Sequence, residues 1–174
     1  MKTKLYEMID NLLNQSTISP MKLKLLEKVF RFGIPFNAPH GISFVEISGN
    51  RVKMKMANKR SNHNHIGTMH ACSIATLGEF PAGLNLLKNL SAQSFRFVLV
   101  KLQIDYHHHG STDLFGVCDI DDSTRDLIES KKKSGESFEI TLTTEVSNTK
   151  DRAIASVHTT WQVKPWGQVK KEKS

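Results

Sequence analysis

Apolar positions along this chain follow two different periods, and the change between them divides it into segments. In the first thirty residues they recur at helical spacing, with Leu23, Leu26 and Phe30 on one stripe. Ser16-Thr17-Ile18-Ser19-Pro20 interrupts that pattern. Two helices are therefore expected, over residues 3–14 and 20–32, the second with Ser19 as N-cap, Pro20 at its first position and Gly33 as its stop. Its other face carries Lys22, Lys24, Lys28 and Arg31. Such a face suits a membrane surface, but a helix packed on its own domain is the expected reading.

The period then drops to two. Ile42 to Ile47 and Arg51 to Met56 alternate, with Val52, Met54 and Met56 on one face and Arg51, Lys53 and Lys55 on the other, and Ser48-Gly49-Asn50 joins them as a hairpin. After the polar stretch Asn58 to Asn64, helical spacing returns with Ile74, Ala75, Leu77 and Ala82. Gly78 and Pro81 interrupt this helix, and because Pro81 has no N–H for the carbonyl of Leu77, a kink or break is expected close to Glu79.

The second half reads as strands. Val98, Val100, Leu102, Ile104 and Tyr106 alternate with polar residues, Leu114 to Ile120 is an apolar run, and Phe138 to Val146 and Ala153 to Val163 alternate around the turn Asn148 to Asp151. A charged excursion, Asp122 to Gly135, begins at an Asp cap. Helices, hairpin, long helix and four strands, in that order, imply an α+β layer arrangement, an antiparallel sheet wrapped on one long helix.

Composition adds limits rather than identity. The 174 residues, 39% hydrophobic and 24% charged, suit a single domain over 1–174, with a helical extension at 1–32 and a flexible basic tail at 165–174. No apolar run approaches the roughly 18 residues that span a bilayer, and the N-terminus lacks the apolar core of a secretion signal. A cytoplasmic protein without stable membrane insertion is expected. Cys72 and Cys118 have neither disulfide-framework nor zinc-ribbon spacing. The net charge of +7 gathers in Lys131 to Lys133 and in Lys170, Lys171 and Lys173, without the interleaved aromatics of a single-strand groove, so nucleic acid is not the expected partner. His107, His108 and His109 invite a metal, yet neighbours on a strand point to opposite faces and no carboxylate ligand spacing accompanies them. Neither metal nor cofactor is expected.

The candidate chemistry lies between Asn64 and Glu79. Glu79 is a lone carboxylate in an otherwise uncharged helix, where lost solvation raises a carboxylate's pKa and suits it to base or nucleophile work. The structural alternatives are a pair with a buried Arg or a cap at the break near Pro81. His70, at the helix start, reads equally as a cap or a site residue. Cys72 is a weaker nucleophile candidate, having no base beside it.

The element order and the segment His70-Ala-Cys-Ser-Ile-Ala-Thr-Leu-Gly-Glu79 resemble the hotdog-fold acyl-CoA thioesterases, in which a His-Gly-Gly turn starts the central helix and an Asp or Glu follows nine residues after the His. The wider stretch Asn64-His-Ile-Gly-Thr-Met-His-Ala-Cys-Ser-Ile is similar to the branch that includes the C-terminal domain of the YiiD proteins. The resemblance implies hydrolysis of acyl-CoA or a related acyl thioester. Glu79 would activate water or attack the carbonyl, the amides of Ala71 and Cys72 would hold the oxyanion, and His70 and Asn64 would orient the carbonyl. It places Gly67, Thr68, Tyr106 and His107 at the substrate entrance and leaves Lys59 and Arg60 for the CoA phosphates. It also implies a homodimer or a dimer of dimers with the site at the subunit interface. Ala71 and Cys72 replace the paired glycines, which keeps open a non-catalytic acyl-CoA or acyl-chain binding module of the same fold.

Overall fold

The computed structural model describes residues 2–13 and 17–169. Four helices, α1 (Lys2–Leu13), α2 (Pro20–Gly33), α3 (Ala71–Leu90) and α4 (Asp122–Ser134), and six strands, β1 (Ile42–Ser48), β2 (Arg51–Met56), β3 (Phe95–Tyr106), β4 (Leu114–Asp119), β5 (Phe138–Asn148) and β6 (Ala153–Pro165), follow the expected order. The strands form one antiparallel sheet in the order β1-β2-β4-β5-β6-β3. Helix α3 packs on β2, β4, β5 and β6 and hardly touches β3. The β1–β2 hairpin turns on Gly49 and Asn50, with Gly49 at φ +49° and Val52, Met54 and Met56 buried against the helix.

Helix α3 runs unbroken through Pro81, so of the expected kink or break near Glu79 there is no break. Packing supplies the reason. Pro81 is buried, and Gly78, Gly83 and Gly116 let β6 and β4 close on the helix. A Cβ on Gly116 would stand 2.8 Å from the carbonyl oxygen of Leu77, the one that Pro81 leaves without its helical donor. Strand β4 thus covers the weak point of the helix. Two buried clusters flank α3: one joins Leu23, Leu26 and Phe30 of α2 to Phe44, Leu77 and Phe80, and the other joins Leu86 and Leu90 to Ile128, Ile140 and Trp161.

The strand expected from Val98 to Tyr106 does not keep one face. A bulge between Leu99 and Lys101 reverses its parity, so that Phe95, Phe97 and Leu99 face the sheet interior before it and Leu102, Ile104 and Tyr106 after it, opposite the buried Thr159, Val157 and Ala155 of β6. Because β3 is an edge strand that α3 scarcely covers, Val98, Val100, Leu102 and Tyr106 remain more than 40% exposed. Helix α2 packs through the expected stripe, but its outward side is apolar too, with Met21, Leu25 and Phe32 among Lys24, Lys28 and Arg31. Ser19 precedes it without a side-chain cap bond.

The excursion is α4, capped by the Asp121 carboxylate, which accepts from Thr124 N at 2.7 Å, and closed by Gly135 in the left-handed region. The expected flexible tail is docked as far as the description reaches: Trp166 Nε1 donates to Ala92 O, Ser137 Oγ to Gln168 Oε1 and Gln168 Nε2 to Gly135 O. Residues 170–174, like Asn14 to Ser16, lie outside the described residues.

Candidate active site

The start of α3 is assembled from four segments. Asn62, fully buried in the short turn before the helix, donates from Nδ2 to the carbonyls of His40 and Ala57, pairs through Oδ1 with His40 Nδ1, and accepts His70 N–H on its own carbonyl at 2.7 Å. Met69 N donates to Gly110 O, and the Tyr106 hydroxyl donates to Ala71 O at 3.0 Å. These bonds fix the helix start against the end of β3 and the loop after it.

His70 is the N-cap of α3. Its Nδ1 accepts from Cys72 N–H at 3.0 Å, a capping bond with a chemical consequence. A neutral ring that accepts at Nδ1 carries its proton on Nε2. That N–H is free to donate. The cap also occupies the Cys72 amide, one of the two expected oxyanion donors. The Ala71 amide is at the first helical position, has no partner four residues back in the helix, and makes no other hydrogen bond among the described residues.

Asn64 organises its own loop. Its Oδ1 accepts from Ile66 N and Thr68 N, both at 3.1 Å, and its Nδ2 donates to Thr68 Oγ1 at 2.9 Å. Gly67 completes the turn at φ +78°. A cavity of about 730 Å³ opens beside this loop, and of the expected site residues Asn64, Thr68, Ala71, Tyr106 and His107 line it. His108, His109 and Arg152 contribute as well. The His107 ring bonds to Ser156 Oγ and the His108 ring to Ala153 O. Burial and the nearby Cys72 thiol raise the Tyr106 pKa, so its phenol stays protonated and a donor.

Glu79 does not line that cavity. It lies eight residues beyond Ala71, roughly 12 Å along a helix rising 1.5 Å per residue. It is half-buried beside Gly83, and desolvation raises its pKa. Neither structural alternative, a pair with a buried Arg or a capping bond, is found: among the described residues Glu79 makes no ion pair and no side-chain hydrogen bond. Cys72, Ala75 and Glu79 follow helical spacing along the less buried side of α3. Lys59 and Arg60 also fall outside the cavity lining. Lys59 Nζ folds over Gly41, and the cation on the cavity is Arg152 of the β5–β6 turn. Sequence reasoning missed Arg152 and Asn62. The register that sets Tyr106 opposite Ala155 would have brought Arg152 near the histidines, whereas a buried Asn in a polar loop carries no sequence signal.

The six-stranded antiparallel sheet around a long helix is the hotdog fold, shared with solved structures of thioesterases. A Pseudomonas aeruginosa protein of unknown function, described as a probable thioesterase, superposes with a TM-score of 0.74 at 18% identity, over 87% of this chain and 99% of that one. A Staphylococcus aureus thioesterase gives 0.63 at 15% identity, over 75% and 99%, and a Haemophilus influenzae thioesterase 0.68 at 9%, over 87% and 94%. The chain itself belongs to the DUF4442 family, described as a domain of unknown function, whose model matches residues 23–163. No curated protein matches it by sequence. These matches support the fold and do not confirm the nearer likeness to the YiiD branch.

Proposed function

We propose that this protein hydrolyses acyl-CoA or a related acyl thioester at a site shared between two copies of the chain. The observation that carries this reading is Glu79, a desolvated carboxylate in the central helix with no counter-ion among the described residues. Unpaired burial costs stability, and a base poised above its ordinary pKa is the compensating use. Glu79 takes a proton from water as the water attacks the thioester carbonyl, or attacks it directly. The oxyanion meets the Ala71 N–H and the Nε2–H of His70, and collapse expels the thiolate, which leaves as CoA with a proton. Arg152 is the cation placed for the CoA phosphates, in preference to Lys59 or Arg60.

The separation of roughly 12 Å between Ala71 and Glu79 along one helix supports a site that draws on a second copy. The open edge of β3, with Val98, Val100 and Leu102 exposed, is the surface proposed to pair antiparallel about a two-fold axis, the arrangement in which Glu79 of one protomer would serve Ala71 of its partner. The Staphylococcus aureus thioesterase was crystallised with a glutamine replaced by alanine, and again with a glutamate fifteen residues later replaced. Asn64 and Glu79 have the same separation.

Mixing two inactive variants tests the shared site. Ala71→Pro deletes the amide donor at a helix position that favours proline, and the extended backbone of His70 (φ −65°, ψ 140°) accepts a following proline. Glu79→Gln deletes the base. Each alone is expected to lose roughly 100-fold or more in kcat. Mixed dimers hold one intact site in two, so activity returns on mixing; no return refutes a shared site. One observation favours the non-catalytic reading: the His70 cap leaves a single backbone donor for the oxyanion. Saturable acyl-CoA binding with no CoA release at any chain length would establish it.

A further inference from the structure

A second pocket lies on the α2 side of the molecule, lined by none of the residues around Ala71. It has a volume of about 330 Å³ between α2, the segment Asn37 to Gly41, β1 and α3. Its floor is aromatic. Phe30, Phe44 and Phe80 meet edge to face with centroids 5.6–5.7 Å apart.

Its rim is cationic. Lys24, Lys28 and Arg31 recur at four- and three-residue spacing along α2, and Lys59 Nζ stands 2.6 Å from where a Cβ on Gly41 would be. None of the four is in an ion pair among the described residues. The acid in the lining, Glu27, already accepts Phe44 N–H on Oε1 at 2.8 Å.

Inside is one unanswered polar group. Asn37 is only 9% exposed and lines the pocket. Its backbone N–H donates to Ile34 O, but its side-chain amide has no partner among the described residues. The amide is not sealed off but faces the open pocket, where water or a ligand can answer it. An amide donor beside an apolar floor, under a rim whose cations outnumber its one carboxylate, fits a ligand with an anionic oxygen head and an apolar body. The volume, near the lower end of about 300–1,000 Å³ for ligand sites, admits a small molecule and not a nucleotide thioester.

We propose that this pocket binds a small apolar carboxylate, such as a medium-chain fatty acid, with its carboxylate between Asn37 Nδ2 and the α2 cations and its chain on the three phenylalanines. The proposal stands apart from the thioesterase reading. Such an acid is also what thioester hydrolysis releases, which would make the site one for product.

Calorimetric titration of the whole chain with decanoate tests it, beside NMR of the Asn37 side-chain amide. Saturable binding that shifts the Asn37 amide is expected, with decanol binding roughly tenfold or more weakly for want of the charge. The surface pair Lys28→Gln/Arg31→Gln, which disturbs no buried contact, should weaken decanoate by a similar factor, Ala38→Phe should fill the pocket and abolish binding, and Glu79→Gln should leave it unchanged. Absence of saturable binding, equal affinity for decanol, or decanoate binding that survives both the charge pair and Ala38→Phe overturns the proposal.

Discussion

Gly78 seats α3 on the sheet immediately before Glu79, and its replacement by alanine sets two calculable effects against each other. An alanine Cβ would stand 2.5 Å from Val157 Cβ and 2.6 Å from its Cγ1, and closer still to Cγ2. Carbon atoms in contact sit about 3.5–4.0 Å apart, so the overlap is roughly 1 Å on three atoms at once. Val157 is fully buried and β-branched, so it has no free rotamer to move into, and relief requires the helix to lift from β6. Overpacking of this kind costs about 1–3 kcal/mol, and three simultaneous contacts put it at the upper end. Helix propensity opposes it by about 1 kcal/mol in favour of alanine. The net expectation is a loss of about 2 kcal/mol, which at about 2–4 °C per kcal/mol for a chain of this length lowers Tm by roughly 4–8 °C. Urea and thermal unfolding read both numbers. In Gly78→Ala/Val157→Gly all three contacting atoms of Val157 are gone, so the double variant should be more stable than the two single losses added together. A Gly78→Ala protein stabilised by about 1 kcal/mol, as propensity alone would give, refutes the contact between α3 and β6.

Glu79 should make stability depend on pH in a particular sense. Its folded pKa is raised above the ordinary 4.5, so the folded state holds the proton longer; the favourable contribution is fully present below pH 4.5 and is lost as pH rises through the folded value. The stability gained by Glu79→Gln should accordingly grow with pH across that window and then level off in urea titrations, and a constant difference would show the carboxylate to be solvated. Asn85, fully buried in α3, donates from Nδ2 to Asn50 O at 2.6 Å and Cys118 O at 3.0 Å. Asn85→Ala removes both bonds, leaving Asn50 O with the Ile120 N–H, and should cost about 2–4 kcal/mol in chemical denaturation; a loss under 1 kcal/mol would mean that these bonds do not hold the hairpin turn to α3.

The parts of the fold that depend on local pattern could be read from the sequence, and those that depend on what packs where could not. Leu23, Leu26 and Phe30 announce α2, and Val52, Met54 and Met56 announce β2, because a single buried face imposes its period on the residues. The parity change in β3 was hidden because Val98 to Tyr106 alternates smoothly by residue type, and only pairing with β6 reveals the bulge at Val100. The break expected at Pro81 failed for the same reason: tertiary packing around Gly116 overrides a local defect. Within the site, Glu79 stood out as a charge among apolar neighbours, while Asn62, Asn37 and Arg152 look like ordinary loop residues until burial and register place them. The nine-residue spacing of His70 and Glu79 was legible, but a spacing along one helix separates two groups as readily as it relates them.

The most direct test of the account is CoA release from a series of acyl-CoA substrates of increasing chain length, followed with a thiol reagent for wild type and Glu79→Gln side by side. Turnover of at least one substrate by wild type, reduced roughly 100-fold or more in Glu79→Gln with acyl-CoA binding retained, is the predicted result. Equal turnover by the two proteins, or none by wild type at any chain length, contradicts it.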